Sequence, residues 1–218
     1  MEKMDEFFAA RVNGYDEHML NEVEGCREAY GKMAELLPES TKNLLDLGCG
    51  TGLELDDIFK RFPDISVTGI DLSKAMLEKL SEKYPDKNIT LINGDYFSTD
   101  LGLERFDTAI SFQTMHHFSH EMKIGLYKKI RDSLKSGGVY IECDYMVETQ
   151  EEEDHWYAEN ARIRKELSIS ENEFYHYDTP CTIENQIKMF KAAGFASAEK
   201  VYRVENTTII IAKRTDKN

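Results

Sequence analysis

A chain of 218 residues, 41% hydrophobic and 31% charged, has the make-up of an ordinary globular protein of about one domain. Its formal net charge of −14 comes without any dense lysine or arginine stripe, which disfavours nucleic acid or another polyanion as partner. No apolar run reaches the roughly 20 residues that span a bilayer, and the opening "MEKMDEFFAA" lacks the basic and long apolar regions of a signal peptide, so a cytoplasmic setting with no membrane partner is expected.

Residues 1–37 read as helical, with apolar positions at Phe7, Phe8 and Val12 and again at Met19, Leu20 and Val23. Asn13-Gly14 interrupts them, and Pro38 stops the second helix. From residue 43 strand and helix alternate. "NLLDLG", "ISVTGID", "NITLINGD", "FDTAISF" and "GVYIECDYM" are strands; "LELDDIFKRF", "SKAMLEKLSEKY" and "SHEMKIGLYKKIRDSLKS" are helices. Ser73 is placed to cap the second of these helices, and Gly137-Gly138 to end the third. Short apolar strands between helices predict a parallel sheet covered on both faces. After residue 147 the pattern breaks into an acidic helix, "ETQEEEDHWYAENARIRKEL", and a polar, aromatic stretch, "SISENEFYHYDTP". "TIENQIKMFKAAGF" is a last helix with Thr182 as N-cap, and "SAEKVYRVENTTIIIAKR" a hairpin turning at Glu205-Asn206. The expected organisation is one domain, 1–218. It has a helical cover at 1–37, a core at 40–147, a lid-like insertion at 148–180, and a final helix and hairpin at 181–218.

Cys26, Cys49, Cys143 and Cys181 form no C-x-x-C pair and read as free thiols; no metal ligands are read from the sequence.

The chemistry starts at "LLDLGCGTG". In a doubly wound sheet a ligand lies beyond the carboxyl ends of the strands where their order reverses, and the first turn usually lies there. Gly48, Gly50 and Gly52 make G-x-G-x-G, not the G-x-G-x-x-G of dinucleotide binders, and no G-K-[ST] follows for a phosphate loop. Asp46 beside the turn repels a polyphosphate and welcomes an ammonium. Asp71 closes the second strand, where a carboxylate suits ribose hydroxyls, and Asp95 closes the third, where one can accept from an adenine amine. An amino acid, a ribose and an adenine describe S-adenosylmethionine.

"LLDLGCGTG", "GIDLSKAML", "NGDYF", "FDTAISFQTMHHF" and "LKSGGVYIECDY" resemble, in order and spacing, the successive motifs of class I S-adenosylmethionine-dependent methyltransferases. The resemblance implies a Rossmann-like, doubly wound, seven-stranded sheet, mostly parallel with an antiparallel C-terminal hairpin. It implies that Gly48, Cys49 and Gly50 lie near the methionine, Asp71 holds the ribose, and Leu72 and Met76 line the adenosine. Gly94, Asp95 and Tyr96 would meet the adenine, and Ser111 and Gln113 the methionine amino end. "FFAARVNGYDEH" is similar to the family's covering helix, whose Arg11 would pair with the cofactor carboxylate and Tyr15 stack or hydrogen-bond over it.

Methyl transfer from a sulfonium needs alignment in a dry pocket, and a base only when the nucleophile carries a proton. Base candidates are His116 and His117 in "TMHHF" and Tyr177 in "FYHYD". Glu142 and Asp144 share a face of the fifth strand, where one could orient substrate. The fourth strand carries neither the N/D-P-P-Y/F signature of amide- and adenine-nitrogen enzymes nor the Asp of catechol-type enzymes. The expected acceptor is a small molecule, neutral or cationic if Glu148 and Glu151–Asp154 line its entrance; a homodimer is compatible. An RNA methyltransferase, a non-catalytic binder of S-adenosylmethionine or its product, and a nucleotide-dependent oxidoreductase stand as alternatives.

Overall fold

The computed structural model describes residues 1–170 and 173–215; Glu171 and Asn172, within the expected insertion, and residues 216–218 lie outside the described residues. Three helices lead the chain, α1 (Met4–Arg11), α2 (Tyr15–Asn21) and α3 (Cys26–Leu36). The sequence pattern shows only two of them. Gly25 divides the second by taking a left-handed φ of 77°, and a Cβ there would lie 2.9 Å from that of Val204.

The alternating core follows as β1 (Asn43–Leu47), α4 (Leu55–Arg61), β2 (Ser66–Asp71), α5 (Lys74–Lys83), β3 (Ile89–Asn93) and β4 (Phe106–Phe112). A 3-10 turn (Met115–His117), α6 (His120–Ser133) and β5 (Leu134–Val147) complete it. Next come α7 (Gln150–Glu166), β6 (Cys181–Thr182), α8 (Ile183–Ala192), β7 (Ser197–Val204) and β8 (Thr207–Lys213). The sheet runs β3-β2-β1-β4-β5-β8-β7, parallel from β3 to β5 and antiparallel through β8 and β7. These are the seven expected strands. The eighth, β6, pairs with the end of β5 through two residues, too short for any sequence period.

Side-chain alternation along the strands feeds two cores. Leu44, Val67, Ile110 and Ile141 meet α3, α4 and α5 on one face. Leu45, Leu47, Ala109 and Tyr140 meet α6 and α8 on the other. The order reverses at β1, which β2 and β4 flank, so the turns after β1 and β4 open side by side at the sheet's carboxyl edge.

Two sequence expectations about helix ends are corrected. α6 stops at Ser133, not at the glycines, because buried Leu134 turns into the sheet to pair with Phe106. Gly137, at φ 71°, and Gly138 then absorb the register shift before Thr108 meets Val139. Ser73 stands at the N-cap of α5, yet its buried hydroxyl has no partner. Thr182 does cap α8, accepting from the Asn185 N–H, and Thr149 with Glu152 forms a capping box on α7.

The first helix and the segment after α7 form one cover. Met4 N–H donates to the Phe174 carbonyl at 3.1 Å and His176 N–H to that of Glu2 at 3.0 Å. The Phe7 ring stacks on His176 with centroids 3.6 Å apart. Among the described residues no helix is long and apolar enough to cross a membrane.

Candidate active site

Gly48, Gly50 and Gly52 all hold left-handed φ, at 69°, 46° and 72°. Gly48 and Gly50 serve different ends. A Cβ on Gly48 would lie 2.6 Å from the Thr114 Oγ1, so the turn must pass close under the loop after β4. In front of Gly50 the nearest atom within reach is Tyr15 Cε1, at 3.9 Å, which leaves its backbone bare to a ligand. Gly48→Ala is therefore expected to cost about 1–3 kcal/mol in backbone strain alone, before the Thr114 collision. A thermal melt should fall by several degrees; an unchanged melt would show that the turn relaxes freely.

Asp71 locks this turn from β2. Its Oδ2 accepts from the Gly50 N–H and its Oδ1 from the Ser73 N–H, both at 2.8 Å, so the carboxylate is fixed while further lone pairs remain for a ligand. Burial pushes its pKa up to about 6 against the pull of those two N–H groups. The acid is then protonated below about pH 6 and loses acceptor capacity for hydroxyls. Affinity for an adenosyl ligand should hold above about pH 7 and fall as pH drops through 6. Titration calorimetry at several pH values checks this, and a flat profile across that range would sink it.

Around Asp71 lies a cavity of ≈580 Å³, its open mouth included. Tyr15, Gly48, Gly50, Leu72, Met76, Gly94, Asp95, Tyr96 and Gln113 of the expected residues all border it. Asp95 also anchors its own loop through the Ser98 N–H and hydroxyl. Tyr96 donates or accepts at 2.9 Å with Thr114 Oγ1. Sequence reasoning missed the apolar wall of Met4, Phe8, Phe97, Phe112, Phe118 and Phe174, whose rings suit an adenine and a sulfonium. The aromatic runs "DYF" and "MHHF" were the available signal.

Four expected cofactor contacts, Arg11 among them, do not border this cavity. Asp46 is 1% exposed and both its oxygens lack a partner; burial, then Glu54, raise its pKa well above the carboxylate range, and Glu54 itself rises to about 7 mainly through burial. It alternates with Leu45 and Leu47 along β1, on the face of Leu44 and Ile110, and is shut from the cavity beside Glu54. Cys49 is buried under the turn against Gly69. Ser111, 0% exposed, bonds the Tyr140 hydroxyl at 2.7 Å on the α6 side of the sheet. All four cysteines are free and buried.

A second cavity, ≈2090 Å³ with its open mouth, adjoins the first and shares Phe8, Tyr15 and Gln113 with it. Gln113 carries a positive φ of 50°, a strained conformation at that shared wall. His116, His117, His176, Asp178 and Tyr145 line the second cavity. His116 Nδ1 bonds Asp144 Oδ1 at 2.6 Å. Burial would lower the His116 pKa, but Asp144 and Asp178 outweigh it and carry it up to about 10. Burial and then the His116 charge lower His117; burial and then His117 lower His176 to about 4.

Of the remaining expected groups, Arg11 borders the second cavity, not the first, held by Glu2 at 3.1 Å and lying over the Phe7 ring. Tyr177 faces away: its ring packs toward Trp156, and only its carbonyl reaches His117, at 3.3 Å. Glu142 is taken up in the core by Tyr127, Tyr140 and Gln186. Of the acidic run, Glu152 caps α7 and Glu153 ties His120 to the start of α8; none of the run borders either cavity.

Fold and cavity together define a doubly wound α/β protein with a carboxylate-anchored, aromatic site at its switch point. Comparison with known proteins agrees. A methyltransferase-domain family model matches residues 44–138. The carboxy-S-adenosyl-L-methionine synthase of Nautilia profundicola is 25% identical, over 97% of this chain and 95% of its own. The norreticuline-7-O-methyltransferase of Papaver somniferum is 29% identical over 84% of this chain and 44% of its own. Among solved structures, a complex of DhpI with S-adenosylhomocysteine has a TM-score of 0.72 at 14% identity, covering 97% of this chain and 95% of that one. Human N-acetylserotonin methyltransferase, solved with S-adenosylmethionine, has a TM-score of 0.68 at 15% identity, covering 97% of this chain. The chain spans 56% of that enzyme's length and 44% of the poppy enzyme's. These comparisons indicate a class I S-adenosylmethionine-dependent methyltransferase with S-adenosylmethionine as its cofactor.

Proposed function

We propose that this enzyme moves the methyl group of S-adenosylmethionine to a small molecule held in the second cavity. The observation that carries the reading is the shared wall of Phe8, Tyr15 and Gln113, through which a ligand seated around Asp71 meets the polar second cavity. In this reading Asp71 takes the ribose, Leu72, Met76, Asp95 and Tyr96 surround the adenine, and the methionine end lies toward Gly48, Gly50 and Gln113. A lone pair on an acceptor oxygen, nitrogen or carbon forms the new bond to the methyl carbon. The carbon–sulfur bond breaks with its electrons staying on sulfur. Any acceptor proton leaves to a basic group or water in the second cavity, where His117 and Tyr145 are placed to receive or orient it. The N-terminal helices and the segment from 148 to 180 would serve as the cover that keeps the site dry.

The second cavity carries Glu22, Glu24, Asp178 and Glu205 against Arg11, which favours a neutral or cationic acceptor. The small-molecule methyltransferases among the relatives support a small-molecule acceptor. A second reading draws on the end-to-end match to the carboxy-S-adenosyl-L-methionine synthase: the adenosyl compound itself would be the molecule modified. One assay separates them. The protein is incubated with S-adenosylmethionine and a panel of small hydroxy, amino and carboxylic compounds, and the products are weighed by mass spectrometry. S-adenosylhomocysteine with a methylated partner supports methyl transfer; a heavier, carboxylated adenosyl product supports the second reading. Absence of binding to either adenosyl ligand in calorimetry would defeat both.

A further inference from the structure

We propose that His116, His117 and Asp178 form a binding site for a divalent transition-metal ion of the zinc class, with His176 as a further ligand, on the acceptor side of the methyl donor. The site is assembled from two elements. The 3-10 turn after β4 supplies His116 and His117, and the chain returning after α7 supplies His176 and Asp178. The donor atoms of His116, His117 and Asp178 all lie within 4.8 Å of one another.

The spacing is the first argument. Asp178 Oδ1 stands 3.3 Å from His117 Nδ1, 3.5 Å from His116 Nε2 and 3.9 Å from His176 Nε2. Donors that share a tetrahedral ion at about 2.0–2.1 Å stand roughly 3.4 Å apart, so His117 and His116 stand at suitable separations from Asp178, His176 must approach by a small adjustment, and His117 Nδ1 must give up its hydrogen bond to the Tyr177 carbonyl. The second argument is the setting of the oxygen: Asp178 Oδ1 is shut from solvent and meets His117 and His116 only at 3.3 and 3.5 Å, longer than a charge-assisted hydrogen bond. An ion seated among these donors would give each of them a short contact.

The surroundings complete the design. Asp144, 2% exposed, grips His116 Nδ1 at 2.6 Å and leaves Nε2 turned to Asp178, the carboxylate–histidine support found behind metal ligands. Phe7 stacked on His176 holds that ring in place. Asp144 and Asp178 balance the two positive charges of the ion. Imidazole and carboxylate donors favour zinc, cobalt or nickel over magnesium or calcium. All four side chains line the second cavity, so an ion that expands to a fifth position would meet the space assigned above to the acceptor and ligate its oxygen or nitrogen there. That last role rests on the methyl-transfer reading; the ion site itself does not.

The test uses the full chain, stripped with a chelator and titrated with zinc by calorimetry and with cobalt by visible absorption. One equivalent of each is expected, with a cobalt d–d band and a raised thermal midpoint. Asp178→Asn should lose at least 10-fold in affinity together with the band, and Asp144→Asn should lose about 10- to 100-fold. Calorimetry with S-adenosylhomocysteine, read at the separate Asp71 cavity, shows whether each variant is folded. If Asp178→Asn does not fold, His176→Ala, half-buried on the returning segment, decides by the same loss of affinity. Sub-stoichiometric binding, or affinity unchanged in the folded variants, would overturn the site. Failure of the unmodified chain to bind S-adenosylhomocysteine would instead defeat the methyl-transfer reading, while the metal titration still decides the ion site.

Discussion

Replacing Asp71 with alanine should weaken S-adenosylhomocysteine binding by about 1–3 kcal/mol, roughly 5- to 150-fold. Two losses add. The ligand hydroxyls lose a charged acceptor, and the Gly50 and Ser73 N–H groups, each now 2.8 Å from a carboxylate oxygen, lose the group that fixes the turn. Asp71→Asn should also bind weakly, because the new amide must aim its own donors at one of those N–H groups. Titration calorimetry measures both variants. Affinity equal to that of the unmodified protein would remove Asp71 from the cofactor site and, with it, the ribose assignment.

Glu142→Leu should be among the most destabilising single changes in the protein. The Glu142 carboxyl receives the Tyr127 hydroxyl at 2.7 Å, the Tyr140 hydroxyl at 3.0 Å and the Gln186 side-chain amide at 2.5 Å, all in the core between β5, α6 and α8. Removing it strands buried donors at about 1–3 kcal/mol each, so a loss of at least about 3 kcal/mol is expected. Lys123, 1% exposed, would also lose a nearby carboxyl that shares its buried surroundings. For a chain of this size the thermal midpoint should fall by roughly 6–12 °C. Glu142 borders neither cavity, so S-adenosylhomocysteine affinity measured well below the midpoint should be unchanged. A melt within a degree of the parent's would show that this network contributes little. A loss of affinity in the folded variant would show instead that Glu142 supports the site.

Local pattern carried much of the cofactor cavity. Apolar strands separated by helices can only stack in parallel with both faces covered, and the turns at their carboxyl ends then gather at one edge. Asp71, Leu72, Gly94 and Tyr96 are legible because each ends its strand or lies within three residues of its end, and strand ends converge whatever the remaining chain does. On an extended backbone a shift of one residue reverses the direction of a side chain, and composition does not reveal which parity faces the ligand. Ser111 turns to Tyr140 while Phe112 after it borders the cavity. Asp46 shares the face of Phe112 but is buried beside Glu54. In the extended segment before β6, His176 and Asp178 turn to the second cavity while Tyr177 between them turns to Trp156.

By itself the sequence determined the doubly wound sheet, the turn with its left-handed glycines, the adenosyl cofactor and the strand-end carboxylate that fixes that turn. All of these depend on short-range order: periodicity, positive φ and the residue that ends a strand. Only the tertiary structure decided which groups line the second cavity, because His116 and Asp178 lie on separate stretches of chain and meet through a fold-back that no spacing encodes. The same fold-back set Phe8 and Tyr15 as a wall between two cavities, and brought the histidines and Asp178 into the one beyond that wall.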